Sequence, residues 1–123
     1  DLAEAMLARG VDVMIEANLT RPYADSALAR LSEHARLLIV QCEAEPAVIE
    51  RRYRERAGRG ERHAAHFDLD ALPDLRAGLY DGRYDLTGLG HEVLVVRTDH
   101  GYRPGRALIF AAVQVHLRRE DEA

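Results

Sequence analysis

Three short apolar runs are separated along the chain by segments in which apolar residues recur with helical spacing. The runs cover residues 11–15, 37–40 and 93–96, and only the first is interrupted, by Asp12. Apolar runs of this length are typical of strands that a parallel sheet buries on both faces. The pattern therefore predicts three strands, the third extending over 92–98, with helices between them.

Several residues at the borders of the helical segments favour helix ends. Gly10 is placed to end a first helix in the left-handed conformation. Pro46 suits the first turn of a third helix, and Asp68 or Asp70 is placed to cap a fourth. The predicted helices cover residues 1–9, 23–35, 46–57, about 69–80 and 104–117, and the predicted loops cover 58–67 and 81–90.

The alternation of strands and helices predicts the fold class. Strands joined through helices form an α/β fold with a parallel sheet and right-handed crossovers. The length of 123 residues fits one domain, residues 1–123. Three strands are few for a parallel sheet, which is normally covered on both faces. We therefore expect the chain to be an N-terminally truncated part of a larger unit.

Composition narrows the possible chemistry. All 17 basic residues are arginine, so no lysine of this chain can form a Schiff base or bind phosphate in a glycine-rich loop. The net charge of −4 argues against non-specific nucleic-acid binding. Cys42 has no cysteine to pair with, and no apolar run is long enough to cross a bilayer. These features predict a cytoplasmic protein that does not enter membranes.

Residues 51–62 are rich in arginine and point to anion binding. At 100° per residue, Arg52 and Arg56 continue the helix face of Val48 and Ile49. The fourth neighbour of Arg52 is Arg56, another cation, whereas Arg51 and Arg54 have glutamates at that spacing. Guanidinium groups that stay charged suit phosphate oxygens, although they could instead bridge to acids elsewhere in the fold. The residues predicted to bind phosphate are Arg52, Arg56, Arg59 and Arg62.

Residues that leave the predicted strands are further candidates, because ligands of open parallel sheets bind beyond the carboxyl ends of the strands. Glu16 and Asn18 follow the first apolar run and could hold a metal through water, position a nucleophile or serve only as surface groups. His63 and His66 have a spacing seen in metal sites but lack a fourth ligand, so no metal site is predicted. Cys42 is interpreted as a small core residue.

Three segments resemble the small P-loop kinases of the nucleoside-monophosphate-kinase type. Within this family the chain is most similar to the group, often labelled AAA, that contains chloramphenicol phosphotransferase, zeta toxin, gluconate kinase and the kinase domain of polynucleotide kinase. The segments are VDVMIEANL at 11–19, VIERRYRER at 48–56 with the arginine-bearing residues up to 68, and VLVVRTD at 93–99. The middle segment is similar to the arginine helix and lid of the family, and the lid would lie at about 56–68.

The resemblance implies transfer of the γ-phosphoryl group of ATP to a small-molecule acceptor, with Mg²⁺ as the metal cofactor. It implies that Glu16 and Arg56 are catalytic and that Asn18 and Arg21 face the acceptor. Arg56 would clamp the charge of the transferring phosphoryl group, and Glu16 would lie near Mg²⁺ or the acceptor. The nucleotide contacts implied are Arg52, Arg56, Arg59, Arg62, Thr98, Asp99 and Arg103.

The chain departs from this family at one essential point. The family begins with a strand and a G-x-x-x-x-G-K-[ST] loop, and this sequence contains neither that motif nor a lysine. In the family the missing strand lies between those corresponding to 11–16 and 37–42. The expectation is therefore the C-terminal two-thirds of a three-layer kinase domain, inactive by itself. The alternative is a non-catalytic binding or interaction domain, whose sheet a partner chain or a second copy could complete.

Overall fold

The structure, a computed structural model, describes residues 2–60 and 69–121, with side chains up to residue 118. Its elements are α1 (Leu2–Leu7), α2 (Tyr23–Ser32), β1 (Leu38–Glu43), α3 (Pro46–Arg59), α4 (Leu72–Asp81), β2 (Glu92–Arg97) and α5 (Arg106–Asp121). The fold is therefore mixed α/β, as the alternating pattern predicts. None of the described helices has the length and apolar character needed to cross a membrane.

Strands β1 and β2 form a small parallel sheet, the only one in the described part of the chain. Their register runs from Leu38 opposite Glu92 to Glu43 opposite Arg97. Parallel strands require a crossover, and α3 and α4 lie in the connection between these two. The carboxyl ends of both strands consequently meet at one edge of the sheet, which we call the carboxyl edge.

The prediction of a strand at residues 11–15 is wrong. Residues 11–20 have no helical or strand structure, and Met14 and Ile15 are 96% and 55% exposed. An apolar run becomes a strand only when a neighbouring strand accepts and donates its backbone hydrogen bonds. Among the described residues no strand pairs with this segment. Only Leu19, near its end, packs against the core.

Two of the predicted helix ends are found in the structure, and one predicted cap is not. Gly10 has φ of +74°, its N–H donates to Leu7 O at 2.9 Å, and the next N–H donates to Met6 O, which together close α1 in a Schellman arrangement. Pro46 begins α3, which continues two residues further than predicted. The cap predicted for α4 is not found: the helix begins after Ala71 without a side-chain cap, and Asp68 lies outside the described residues.

The main core forms where α2 covers the sheet. Its buried side chains are Ala24, Leu28, Ile39 and Leu86, and Leu19, Leu37, Leu89 and Val93 pack against them. The buried Gln41 of β1 attaches the 83–89 loop to this core, because its Oε1 accepts the N–H of Leu86 at 2.8 Å. Its Nε2 donates to Glu43 Oε1 at 2.6 Å. A buried amide with both ends bonded fixes the loop without leaving an unsatisfied polar group.

Helix α5 contacts residues near the amino ends of the two strands and leaves much apolar surface exposed. Arg36 donates to the backbone O of His116, and His116 Nδ1 lies 3.5 Å from a carboxylate oxygen of Glu92. Leu108 and Phe110 of the same helix are 64% and 60% exposed. A helix that is apolar on several faces is normally covered on them.

Two helical glycines differ in whether the structure leaves room for a side chain. A Cβ at Gly78 would lie 2.6 Å from Cε2 of Tyr84, whereas a Cβ at Gly58 of α3 would have no neighbour within 4 Å. We expect Gly78→Ala to lower the free energy of unfolding by about 1–3 kcal/mol through overpacking. Gly58→Ala should raise it by about 0.5–1 kcal/mol. Urea unfolding followed by circular dichroism measures both, and equal stabilisation by the two variants would contradict the described contact.

Candidate functional site

Helix α3 presents three arginines along one side. Arg52, Arg56 and Arg59 line a shallow surface groove together with Ile49 and Glu55, and we call this feature the arginine groove. Spacings of four and three residues place the three guanidinium groups on one helix face. Three of the four arginines predicted to bind phosphate are thus brought together, and the fourth, Arg62, lies outside the described residues.

Arg56 is the arginine of the groove with the fewest contacts. Its guanidinium carbon lies 5.8 Å from the ring centroid of Tyr53, a cation–π distance. No carboxylate of the described residues pairs with it. The sequence placed it on the inward face of the helix, but the residue is exposed while Ile49 is half-buried. The expected inward position of Arg56 is therefore wrong, because the long side chain reaches solvent.

Arg52 makes contacts of a different kind. Its Nη1 donates to Oγ1 of Thr98 at 3.2 Å. Its Nη2 donates to the backbone O of Thr98 at 2.5 Å and to that of Asp99 at 3.3 Å. The side chain therefore joins α3 to the loop that follows β2. The kinase resemblance implies that Arg52, Thr98 and Asp99 all contact the nucleotide. In the structure, Arg52 is hydrogen-bonded directly to the other two residues.

Acidic residues of α3 engage the arginines beside the groove. The carboxylate of Glu50 lies 3.1 Å from Arg54 and 2.5 Å from Arg76 of α4, so it joins the two helices. The Arg76 hydrogen bond, and after it that of Arg54, lower the pKa of Glu50 to about 2. Glu55 lies 3.7 Å from Arg59. Counted over the residues that line it, the arginine groove has three guanidinium groups and one carboxylate, a positive balance within the described part of the chain.

The carboxyl edge carries an ion network that the sequence analysis did not find. Arg97 lies 2.7 Å from Asp99, 3.0 Å from Glu45 and 3.7 Å from Glu43. Asp99, and after it Glu45, raise the pKa of Arg97. The backbone N–H of Glu45, which donates to Asp99 Oδ1 at 2.6 Å, is the main cause of the lowered pKa of Asp99. All four residues lie at or just after the ends of the strands, and this position in the sequence could have marked them as candidates. Their pairing could not be predicted, because it depends on the register of β1 against β2.

The loop after β2 is also fixed through its backbone. Thr98 donates to the backbone O of Glu43 from its N–H at 2.7 Å and from its hydroxyl at 3.0 Å. Arg103 and Arg97 exchange two backbone hydrogen bonds of 2.8 and 2.9 Å. The predicted nucleotide residues Thr98, Asp99 and Arg103 therefore lie on one short, closed loop beside the carboxyl edge.

The residues predicted to face the acceptor are not brought to the arginine groove. Glu16 and Asn18 are exposed in the irregular segment before α2, and no contact given by the described residues joins them to the groove. Arg21 binds Asp25 through Nε and Nη2 at 3.0 to 3.2 Å. Its backbone N–H donates to Arg83 O. Their predicted role required the strand at 11–15, which this structure does not form.

The residues present do not make a metal site by themselves. Within 2–60 and 69–121, no group of three or more His, Cys, Asp or Glu side chains could hold a metal ion. Glu16, the acid that the resemblance associates with Mg²⁺, belongs to no such group among these residues. His63 and His66 lie outside the described residues. The guanidinium donors of the arginine groove do suit phosphate oxygens.

No protein-family model, curated protein or solved structure matches this chain. What the site can do therefore has to be argued from its own residues. They form a positively charged groove on α3 beside a fixed loop at the carboxyl edge of a parallel strand pair. Such an arrangement can bind an oxyanion.

Glu50 predicts how this part of the structure responds to acid. Because its folded-state pKa is about 2, below the ordinary 4.5, its contribution to stability is full above about pH 4.5 and is lost as the pH falls towards 2. We expect Glu50→Gln to lower the urea midpoint at pH 6, and the difference from the unmodified protein to shrink between pH 4.5 and 2.5.

The matched control is Glu55→Gln on the same helix. Its nearest guanidinium contacts are longer, 3.7 and 3.9 Å, so the midpoint should change less at pH 6. A pH-independent effect of Glu50→Gln would show that its ion pairs with Arg54 and Arg76 do not stabilise the fold.

Proposed function

We propose that the protein to which this chain belongs transfers the γ-phosphoryl group of ATP to a small-molecule acceptor, and that the arginine groove binds the phosphate oxygens. One observation carries the proposal. Arg56 stands in a groove with two further arginines and pairs with no carboxylate of the described residues. Guanidinium groups gathered on one face repel one another, and an oxyanion bound between them would relieve that repulsion.

The position of the groove supports the proposal. Arg52 joins α3 to the loop of Thr98 and Asp99, so the arginine groove adjoins the carboxyl edge. In open sheets with parallel strands, ligands bind at that edge. The loop from Thr98 to Arg103 is where the kinase resemblance places the adenine. Phosphates at Arg56 and a base beside this loop would lie on the same side of the molecule.

Uncovered apolar surface supports a larger, three-layer P-loop kinase-like fold. Val40 of β1 is 39% exposed, and α5 leaves Leu108 and Phe110 largely in solvent. A further strand beside β1 and a helix over the sheet would bury such surface. We propose that this strand and a phosphate loop with its lysine come from sequence outside these 123 residues. Pairing with that strand would also order residues 11–16 and bring Glu16 to the carboxyl edge.

Within this proposal the chain's own residues act mainly through charge. ATP and Mg²⁺ would supply the phosphoryl group and its metal. The exposed guanidinium of Arg56 has room to offer two parallel N–H donors to phosphate oxygens and stays charged at any working pH. Donors fixed where negative charge develops stabilise the transition state of phosphoryl transfer more than the bound substrate.

The test uses the complete protein, including any sequence beyond these residues, and measures acceptor-dependent ADP release. We expect Arg56→Ala to lower kcat by about 10²-fold, the usual cost of a lost transition-state donor, and to change the KM for the acceptor much less. The control is Arg54→Ala, which removes the same charge from the same helix on the face that binds Glu50. Its kcat should stay near that of the unmodified enzyme.

A second candidate function is non-catalytic binding of a polyanion. It is favoured by the absence of both lysine and the phosphate-loop motif from the sequence. Titration with ATP and with tripolyphosphate separates the two. Binding that Arg56→Ala abolishes and Arg54→Ala preserves, without ADP release by the complete protein, would establish the binding domain and exclude the kinase. If both variants bind as tightly as the unmodified protein, the arginine groove has no role in binding.

A further inference from the structure

Arg52 lies in the arginine groove, yet its donors are directed away from the groove's other arginines. Three of its hydrogen bonds go to the loop after β2, to the hydroxyl and carbonyl oxygens of Thr98 and the carbonyl oxygen of Asp99. A guanidinium has five N–H donors in a rigid planar fork. Using three of them on one loop fixes the side chain in one orientation. A phosphate ligand would have to compete with these acceptors.

The loop that Arg52 holds is anchored on its other side to β1. The N–H of Thr98 donates to Glu43 O at 2.7 Å, and the N–H of Glu45 donates to Asp99 Oδ1 at 2.6 Å. Arg52 approaches the same two residues from α3. The loop is thus held between the helix that carries the arginine groove and the strand that ends at the carboxyl edge.

We propose that Arg52 is a positioning residue, which fixes the Thr98–Asp99 loop against α3, and is not itself a phosphate ligand. This inference rests on the proposed function for its consequence, the placing of a nucleotide base relative to Arg56. Its structural part is independent of catalysis. The planar fork is essential, because one ammonium group cannot reproduce the same set of three directed bonds.

Hydrogen exchange of single amides, followed by NMR in the complete protein, tests the structural part. Arg52→Gln should accelerate exchange of the Thr98 and Glu45 amides about tenfold, as local opening of the loop becomes easier. Arg52→Lys keeps the charge and should accelerate both amides similarly. The control, Arg51→Gln, removes the same charge from an exposed site outside the groove and should leave them unchanged.

Two results of this comparison would overturn the proposal. One is equal exchange of the two amides in Arg52→Gln and Arg51→Gln. The other is an equal acceleration of the amides that pair β1 with β2, since the effect would then be global unfolding.

Tripolyphosphate added to the unmodified protein should leave the Thr98 and Glu45 amides as slow as before. Faster exchange would mean that phosphate takes Arg52 from the loop, and the proposal would fail.

Kinetics then separate positioning from a merely structural role. In the complete enzyme, Arg52→Gln should raise the KM for ATP by more than it lowers kcat, whereas Arg56→Ala should act mainly on kcat. Arg52→Lys should not restore the KM, although a phosphate contact by charge alone would be restored. A kcat effect without a KM effect would refute positioning. If the enzyme shows no activity or phosphate binding, the proposed function fails, and the exchange comparison still decides the role of Arg52.

Discussion

The parallel pairing of β1 with β2 is the constraint on which the rest of this structure depends. It joins Leu38 to Glu92 and Glu43 to Arg97, residues that lie more than fifty positions apart in the sequence. The crossover between them contains α3 and α4, so the arginine groove exists beside the carboxyl edge only because these strands align in this register. A slip by one residue would exchange the two faces of β1 and bury the wrong side chains.

Arginine side chains stabilise the carboxyl edge in a way that lysine side chains could not. Arg97 reaches Asp99, Glu45 and Glu43, and Arg52 binds three acceptors on one loop. A planar fork serves several fixed acceptors at once, which a single ammonium group does less well. Arg56 has the same chemistry, but within the described part of the chain it meets only the ring of Tyr53. The difference among these arginines lies in the acceptors that the fold provides.

Local chemistry was enough to predict the helices and not enough to predict the contacts of their side chains. Gly10 and Pro46 determine backbone geometry within one turn, so the ends they mark are found in the structure. The apolar run at 11–15 failed as a strand because strand formation needs a neighbour. Helical geometry likewise placed Arg52 and Arg56 on one face, but the acceptors of Arg52 lie 46 and 47 residues away. Helical spacing does not predict contacts between residues so far apart in the sequence.

Under the proposed function, one additional segment would complete both the sheet and the arginine groove. A two-stranded sheet is marginal alone, and the apolar Val40 of β1 is 39% exposed. On the proposed function that strand leads into the phosphate loop, so one segment would complete both the sheet and the anion site. The binding-domain alternative requires apolar surface of the same kind to be covered by another chain. Both proposals therefore require further chain beside β1, and they differ in whether that chain also brings a phosphate loop to the arginine groove.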